Sequence, residues 1–172
     1  IDCSGKKCLI LGNGGSALTV IAVLKHLKAD KIYVVSRKAA EAAQVGEGGK
    51  PGAAEDITGI ISYEDCYTRH RDAQVIINTT PLGMYPKVDA SPVNEDILRN
   101  FNILVDLIYN PIETKFLEMG RKLGKQTVGG LYMLIGQALK AQEIWQQRPI
   151  DKEIIKEIYD KLKNHPKINK NN

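Results

Sequence analysis

Lys7-Cys8-Leu9-Ile10-Leu11-Gly12-Asn13-Gly14-Gly15-Ser16-Ala17 is the stretch from which the fold is read. Its first five residues are a short apolar run, and a glycine cluster follows at once. From Ser16 to Leu27 the apolar side chains Leu18, Ile21, Leu24 and Leu27 recur at helical spacing. The order is therefore strand, tight turn, helix. Within the turn, Gly12-Asn13-Gly14-Gly15-Ser16-Ala17 fits the pattern G-x-G-x-x-A. At that junction Gly12 permits the turn, Gly14 lets a ligand approach the backbone, and Ala17 keeps the helix close to the sheet. Exposed amides and the positive end of a helix dipole favour an anionic ligand there.

Outward from this unit the same alternation continues. Lys31–Val35 predicts a second strand, Arg37–Ala43 is Ala-rich and helix-prone, and Gly46–Gly52 breaks what precedes it. Asp56–Ser62, carrying Ile57, Ile60 and Ile61, predicts a third strand, and Tyr63–His70 a short helix. Val75–Asn78 and Ile103–Ile108 are apolar runs suited to strands covered on both faces. Tyr85–Pro92 reads as loop, and Asn94–Arg99 as a short helix begun by an Asn cap. An amphipathic helix follows over Thr114–Leu123, stopped by Gly124, then a strand at Gln126–Val128. Leu131–Trp145 predicts a long apolar helix, Asp151–Leu162 a last amphipathic helix capped by Asp151, and Asn164–Asn172 a frayed polar tail. Strands alternating with helices pair in parallel through right-handed crossovers. The fold expected is α/β, a Rossmann-type doubly wound parallel sheet of about six strands in order 3-2-1-4-5-6 with C-terminal helices. One domain over residues 1–172 is expected.

Composition narrows the function classes. The chain has 172 residues, 43% hydrophobic and 26% charged, with a net charge of +4. Its lysines are spread along the chain, whereas nucleic-acid binding needs clustered cations that release counterions together. A small polyanionic ligand suits the balance better. Cys3, Cys8 and Cys66 form no C-x-x-C pair, so a disulfide framework or zinc ribbon is not expected, and a reducing cytoplasm is. No apolar run of about 18 residues suggests a membrane span. The start, Ile1 to Lys7, lacks an initiator Met and a signal segment, and is expected to lie inside something longer. His26, His70 and His165 fall in no motif and are read as surface residues.

The end of the second strand bears on which dinucleotide is taken. An acidic side chain there would bond a ribose 2′-hydroxyl and repel a 2′-phosphate, but the sequence reads Ser36-Arg37-Lys38. Asp30 precedes the strand and belongs to the opposite edge of the sheet. Arg37 can fork onto a phosphate or stack on adenine, Lys38 adds a point charge, and Ser36 can donate a hydroxyl. NADP is expected over NAD.

Further motifs follow in order: Asn78-Thr79-Thr80-Pro81-Leu82-Gly83-Met84, Asp106-Leu107-Ile108-Tyr109-Asn110-Pro111, and Gly130-Leu131-Tyr132-Met133-Leu134-Ile135-Gly136-Gln137. With the glycine turn and Ser36-Arg37-Lys38 they resemble the shikimate dehydrogenases, colinearly from about Gly5 to Trp145. That family reversibly reduces 3-dehydroshikimate to shikimate with NADPH in aromatic amino-acid biosynthesis. The resemblance implies that Gly12, Asn13, Gly14, Gly15 and Ala17 form the diphosphate loop and that Ser36, Arg37 and Lys38 form the 2′-phosphate clamp, with Lys38 in place of the usual Thr. It implies that Thr79 and Thr80 line the path from adenosine to nicotinamide, and that Leu107 and Gly130 meet the nicotinamide. Tyr109 and Gln137 would be lent to the shikimate site. Gly129 departs from the Asn or Asp common at that place.

Blander readings stand beside these. Tyr109 could pack in the core as a strand-end aromatic, Gln137 lies on an apolar helix as a buried amide, and Met84 and Met133 read as core filler. The family's catalytic Lys and Asp belong to an N-terminal domain whose motifs do not occur in these 172 residues, so no catalytic residue is expected in this chain. The chain is accordingly expected to bind NADP without turning over shikimate, and to expose an interdomain face prone to self-association. The alternatives are a quinate/shikimate dehydrogenase domain, a glutamyl-tRNA reductase or methylene-tetrahydrofolate dehydrogenase sharing the glycine turn, and a stand-alone NADP-binding sensor or interaction module.

Overall fold

A computed structural model of the chain describes residues 1–39 and 57–164. The glycine-cluster unit forms as expected: strand β1 (Lys7–Leu11) runs into helix α1 (Gly15–His26). There follow β2 (Lys31–Val35), β3 (Gly59–Ile61), α2 (Tyr63–Thr68), β4 (Val75–Asn78), α3 (Glu95–Leu98) and β5 (Ile103–Asp106). The described chain closes with α4 (Lys115–Lys122), β6 (Gln126–Val128), α5 (Leu131–Gln146) and α6 (Glu153–Lys163). The expected helix over Arg37–Ala43 lies mostly outside the described residues, as do the Gly46–Gly52 break and the tail beyond Asn164.

The six strands make one sheet in order β3-β2-β1-β4-β5-β6, all parallel. β1 sits at the centre with Leu11 opposite Val35 on one side and Asn78 on the other. Cys8, Leu9, Ile10 and Leu11 are inaccessible to solvent, as an apolar strand covered on both faces must be. Alternation sends Leu9, Leu11, Ile76 and Leu104 to one face, under Phe101, Phe116 and Leu117. Cys8, Ile10, Val34 and Ile77 go to the other, under α1.

The helices start where local hydrogen-bonding chemistry places them. Ser62 and Asp65 form a reciprocal capping box on α2, Asn94 caps α3 through the Ile97 amide, and Thr114 caps α4 through the Leu117 amide. Asp151 accepts from the Glu153 amide at 3.0 Å, although the helix proper begins after Lys152, which supplies no side-chain cap.

The apolar spacing of two helices does not translate directly into burial, and the readings of Met133, Met84 and His70 are corrected. The core face of α1 is Ala17, Val20, Ile21 and Leu24, while Leu18 and Leu27 stand exposed. Helix α1 is apolar nearly all round, so its spacing alone did not select a face. α5 is apolar but buries only Leu131 and Ile135. Met133 on it and Met84 in the loop after β4 are 38% and 47% exposed, so neither fills the core. His70 is only partly exposed: its ring packs tilted against Tyr33 at 4.4 Å between centroids, and its Nδ1 is buried without a hydrogen-bond partner. Burial there pulls the His70 pKa down. No described helix is long and apolar enough to cross a membrane.

Candidate dinucleotide-binding edge

The ends of β1, β2, β4 and β5 lie along one edge of the sheet, and nearly every candidate residue is there. Gly12 leaves β1 at φ +104, a conformation that side chains disfavour. Its amide donates to the Val35 carbonyl at 2.9 Å, which fastens the glycine turn to the end of β2. A Cβ at Gly12 would also come within 3.0 Å of Thr79 Oγ1. At Gly14 and Gly15, by contrast, a Cβ would meet no protein atom within 4 Å. The space over those two residues is open, as a backbone cradle for a bulky anion requires. α1 starts there without a side-chain cap, so its positive end faces that space. Ala17 is fully buried beneath the turn and acts by packing.

Beyond Val35, the Ser36 amide donates to Ile61 at 2.9 Å, which anchors the strand end. The Ser36 hydroxyl accepts from the Lys38 amide at 3.2 Å, an arrangement that does not use its hydrogen. Arg37 and Lys38 are exposed. Arg37 is near enough to Tyr63 to oppose the rise that burial gives its phenol. Asp30 lies at the other edge, its amide donating to Lys6 at 3.0 Å, as expected from its position before β2.

Two polar side chains that the sequence reading passed over organise the middle of this edge. Asn78 ends β4, Asp106 ends β5, and both are fully buried. Asp106 Oδ1 accepts from Asn78 Nδ2 at 3.1 Å and from the Ile108 amide at 3.0 Å, and Oδ2 accepts from the Thr114 hydroxyl at 2.6 Å. Burial pushes the Asp106 carboxyl above its ordinary range, and these three donors oppose the rise. Asn78 Oδ1 in turn accepts from the Thr80 amide and hydroxyl at 2.9 and 2.7 Å. The segments following β4 and β5 are thus tied together. The available signal was a polar residue closing each of two apolar runs, VIIN and ILVD.

Between those segments opens a cavity of about 470 Å³, whose walls include Thr79, Thr80, Leu107 and Tyr109. Ser16, from the first turn of α1, also lines it and was not singled out from the sequence. Tyr109 is 49% exposed, which removes the core-packing reading. Gly130 lies beside Leu107, its amide donating to the Ile108 carbonyl at 3.0 Å. A Cβ at Gly130 would fall 2.1 Å from the Leu107 carbonyl oxygen, so only glycine permits this approach. Gln137 does not line the cavity and is exposed on α5, contrary to its reading as a buried amide. A separate cavity of about 680 Å³ runs along α6, where Asp151, Glu153, Glu157 and Asp160 would repel an anion. Among the described residues no cluster of three metal-ligating side chains occurs.

No family model matches the chain. Over 156 residues it is 45% identical to a shikimate dehydrogenase (NADP(+)) of Clostridium beijerinckii, covering 91% of this chain and 54% of that protein. Its fold superposes on a chorismate mutase/shikimate 5-dehydrogenase fusion protein from Clostridium acetobutylicum with TM-score 0.85 and 38% identity, over 98% of this chain and 57% of the other. A shikimate dehydrogenase solved in complex with NADP+ matches with TM-score 0.71 and 29% identity, over 92% and 55%. A shikimate 5-dehydrogenase from Listeria monocytogenes, in complex with shikimate and NAD, matches with TM-score 0.71 and 28% identity, over 92% and 57%. The chain spans about half the length of the curated relatives it matches.

Proposed function

We propose, from the homology of this chain to the shikimate dehydrogenases over their C-terminal, NADP-binding part, that it is a domain which holds NADP for the reversible reduction of 3-dehydroshikimate to shikimate. The observation that carries this reading is the junction of Gly12 with Val35. One hydrogen bond of 2.9 Å sets an open glycine turn beside a strand end whose next residues are Ser36, Arg37 and Lys38. The turn supplies amides and a helix N-terminus to a diphosphate, and the basic pair supplies charge to a 2′-phosphate. Ser36, Arg37 and Lys38, the three residues directly after β2, include no carboxylate to repel that phosphate, which favours NADP over NAD.

The residues fit the cofactor at the points where a fit can be tested. The space over Gly14 and Gly15 is free of side chains, and Gly12 and Gly130 stand where a Cβ would strike neighbouring atoms. When bound, the nicotinamide accepts or delivers a hydride. Leu107 and Gly130 form the wall for its ring, and Thr79 and Thr80 the lip of the path toward it. Tyr109 and Gln137 are the two side chains offered to shikimate from this domain, Tyr109 at the cavity wall and Gln137 from the exposed face of α5.

Reduction of a carbonyl also needs a proton donor within hydrogen-bond reach. Asp106 is enclosed by its three partners, and no other candidate residue at this edge is an acid or base matched to that task. The acid and base belong, on this reading, to the rest of a longer cytoplasmic protein. The exposed Tyr132, Ile144 and Trp145 on α5 are assigned to the surface that meets it, and to self-association when the chain is alone. The test is to supply the chain with shikimate and NADP and follow NADPH. The expected result is no steady production, and turnover at an enzyme's ordinary rate would overturn the assignment of the acid and base elsewhere.

A further inference from the structure

Two threonine hydroxyls stand at the lip of the cavity, and the groups behind them determine where their hydrogens point. A carbonyl oxygen can only accept and a backbone amide can only donate. Thr79 Oγ1 lies 2.8 Å from the Leu11 carbonyl oxygen, so its hydrogen is committed there. Thr80 Oγ1 lies 2.7 Å from the Asn78 carboxamide. The atom it meets is the oxygen, because the Thr80 amide donates to that same atom at 2.9 Å. The nitrogen of the carboxamide faces the Leu82 carbonyl at 3.3 Å and Asp106 Oδ1 at 3.1 Å. Turning the carboxamide over would set three contacts of like polarity against one another at a side chain closed to solvent, a cost no partner relieves. One orientation is held, and the Thr80 hydrogen is spent on Asn78. The Leu82 amide takes one of the Thr80 lone pairs at 3.3 Å, leaving the other.

We infer that Thr79 and Thr80 meet a ligand only as hydrogen-bond acceptors, so that this lip selects a neutral donor group, a ribose hydroxyl, and gives nothing to a phosphate. A dinucleotide diphosphate carries no hydrogen at neutral pH and finds only lone pairs here. Its place is the glycine turn, where the protein presents amides. Ser36 has the opposite character, since its hydroxyl accepts from the Lys38 amide and keeps its hydrogen for a phosphate oxygen. The edge is thereby divided into donor stations for the phosphates and an acceptor station for a sugar. That the donor is a ribose rests on the dinucleotide reading above, while the positions of the hydrogens do not.

Neutron diffraction from crystals of the ligand-free protein reads those positions directly. The expected map has deuterium on Thr79 Oγ1 directed to Leu11 and on Thr80 Oγ1 directed to Asn78, and either one directed into the cavity overturns the inference. In solution, NADP, 2′,5′-ADP and inorganic pyrophosphate are titrated by calorimetry into the wild-type chain, Thr80→Val and Thr80→Ser. Thr80→Val is expected to weaken NADP by about three- to tenfold, with Thr80→Ser recovering most of the loss and pyrophosphate affinity equal in all three. An equal loss on 2′,5′-ADP assigns the donor to the adenosine ribose, and a loss confined to NADP assigns it to the nicotinamide ribose. Unchanged NADP affinity in Thr80→Val, or weakened pyrophosphate, overturns the inference. If the wild-type chain binds no NADP, the dinucleotide reading falls, and the neutron map still decides the hydrogens.

Discussion

Asn78 and Asp106 stand opposite each other in the register of β4 and β5, Nδ2 donating to Oδ1 at 3.1 Å, with neither side chain reached by solvent. A carboxylate taken from water costs several kcal/mol unless its lone pairs are satisfied, and here Asn78, Ile108 and Thr114 satisfy them. Removing it strands three donors at once. Asp106→Ala is therefore expected to lower unfolding stability by about 3 kcal/mol or more, since each buried neutral donor left without an acceptor costs about 1–3 kcal/mol. Asp106→Asn should cost less, since one oxygen remains to accept. Urea denaturation measures both, and a loss below about 1 kcal/mol for Asp106→Ala would show that the network does not hold the edge together.

The acid limb of stability should depend on Glu118. Hydrogen bonds from Lys122 and Lys115 hold its carboxyl at about 2, against an ordinary 4.5. A folded-state pKa below the unfolded one means that the ionised form favours the fold. That contribution is complete above the unfolded value and disappears as pH falls from 4.5 towards about 2. Asp106 acts in the opposite sense: its raised pKa favours the fold at low pH and loses that effect as pH climbs through the raised value. Glu118→Gln should flatten the fall in urea midpoint across the acid window. A fall as steep as in the wild type would remove Glu118 as its source.

Gly14 and Gly130 separate binding from folding. A Cβ at Gly14 meets no protein atom, and its φ of −100 suits any residue. Gly14→Ala should therefore change stability by no more than about 0.5 kcal/mol. It should weaken NADP at least tenfold, on the order of 1.4 kcal/mol, because the methyl group occupies the approach to the amides. At Gly130 the Cβ falls 2.1 Å from the Leu107 carbonyl oxygen, and backbone must move. Gly130→Ala should lose about 1–3 kcal/mol, the usual cost of overpacking. Thermal melts paired with NADP titrations check both. Equal effects of the two substitutions on stability would contradict the distinction.

The strand-turn-helix unit, the six-strand order and the Asn94 cap were legible because each rests on local pattern: two apolar runs, a glycine cluster, an amide side chain before a helix. Long-range choices were not. Leu18 and Leu27 shared helical spacing with Ile21 and Leu24, yet only the latter pair faces the sheet, since an apolar helix offers several faces that could. α5 read as a long apolar helix from its composition, but contact with the rest of the described chain fully buries only Leu131 and Ile135, and Gln137 stands in solvent. Asn78 and Asp106 lie 28 residues apart and meet through strand register, which no local window contains.

The proposed function requires the glycine turn and the basic pair after β2 together to recognise a phosphorylated adenosine ribose. Calorimetric titration of NADP and NAD into the wild-type chain and into Arg37→Ala is its most direct test. NADP should bind about tenfold or more tighter than NAD, a difference of about 1.4 kcal/mol, with most of that preference lost in Arg37→Ala and NAD affinity little changed. Equal affinities for the two dinucleotides in the wild-type chain, or a preference that survives removal of the Arg37 side chain, would contradict it.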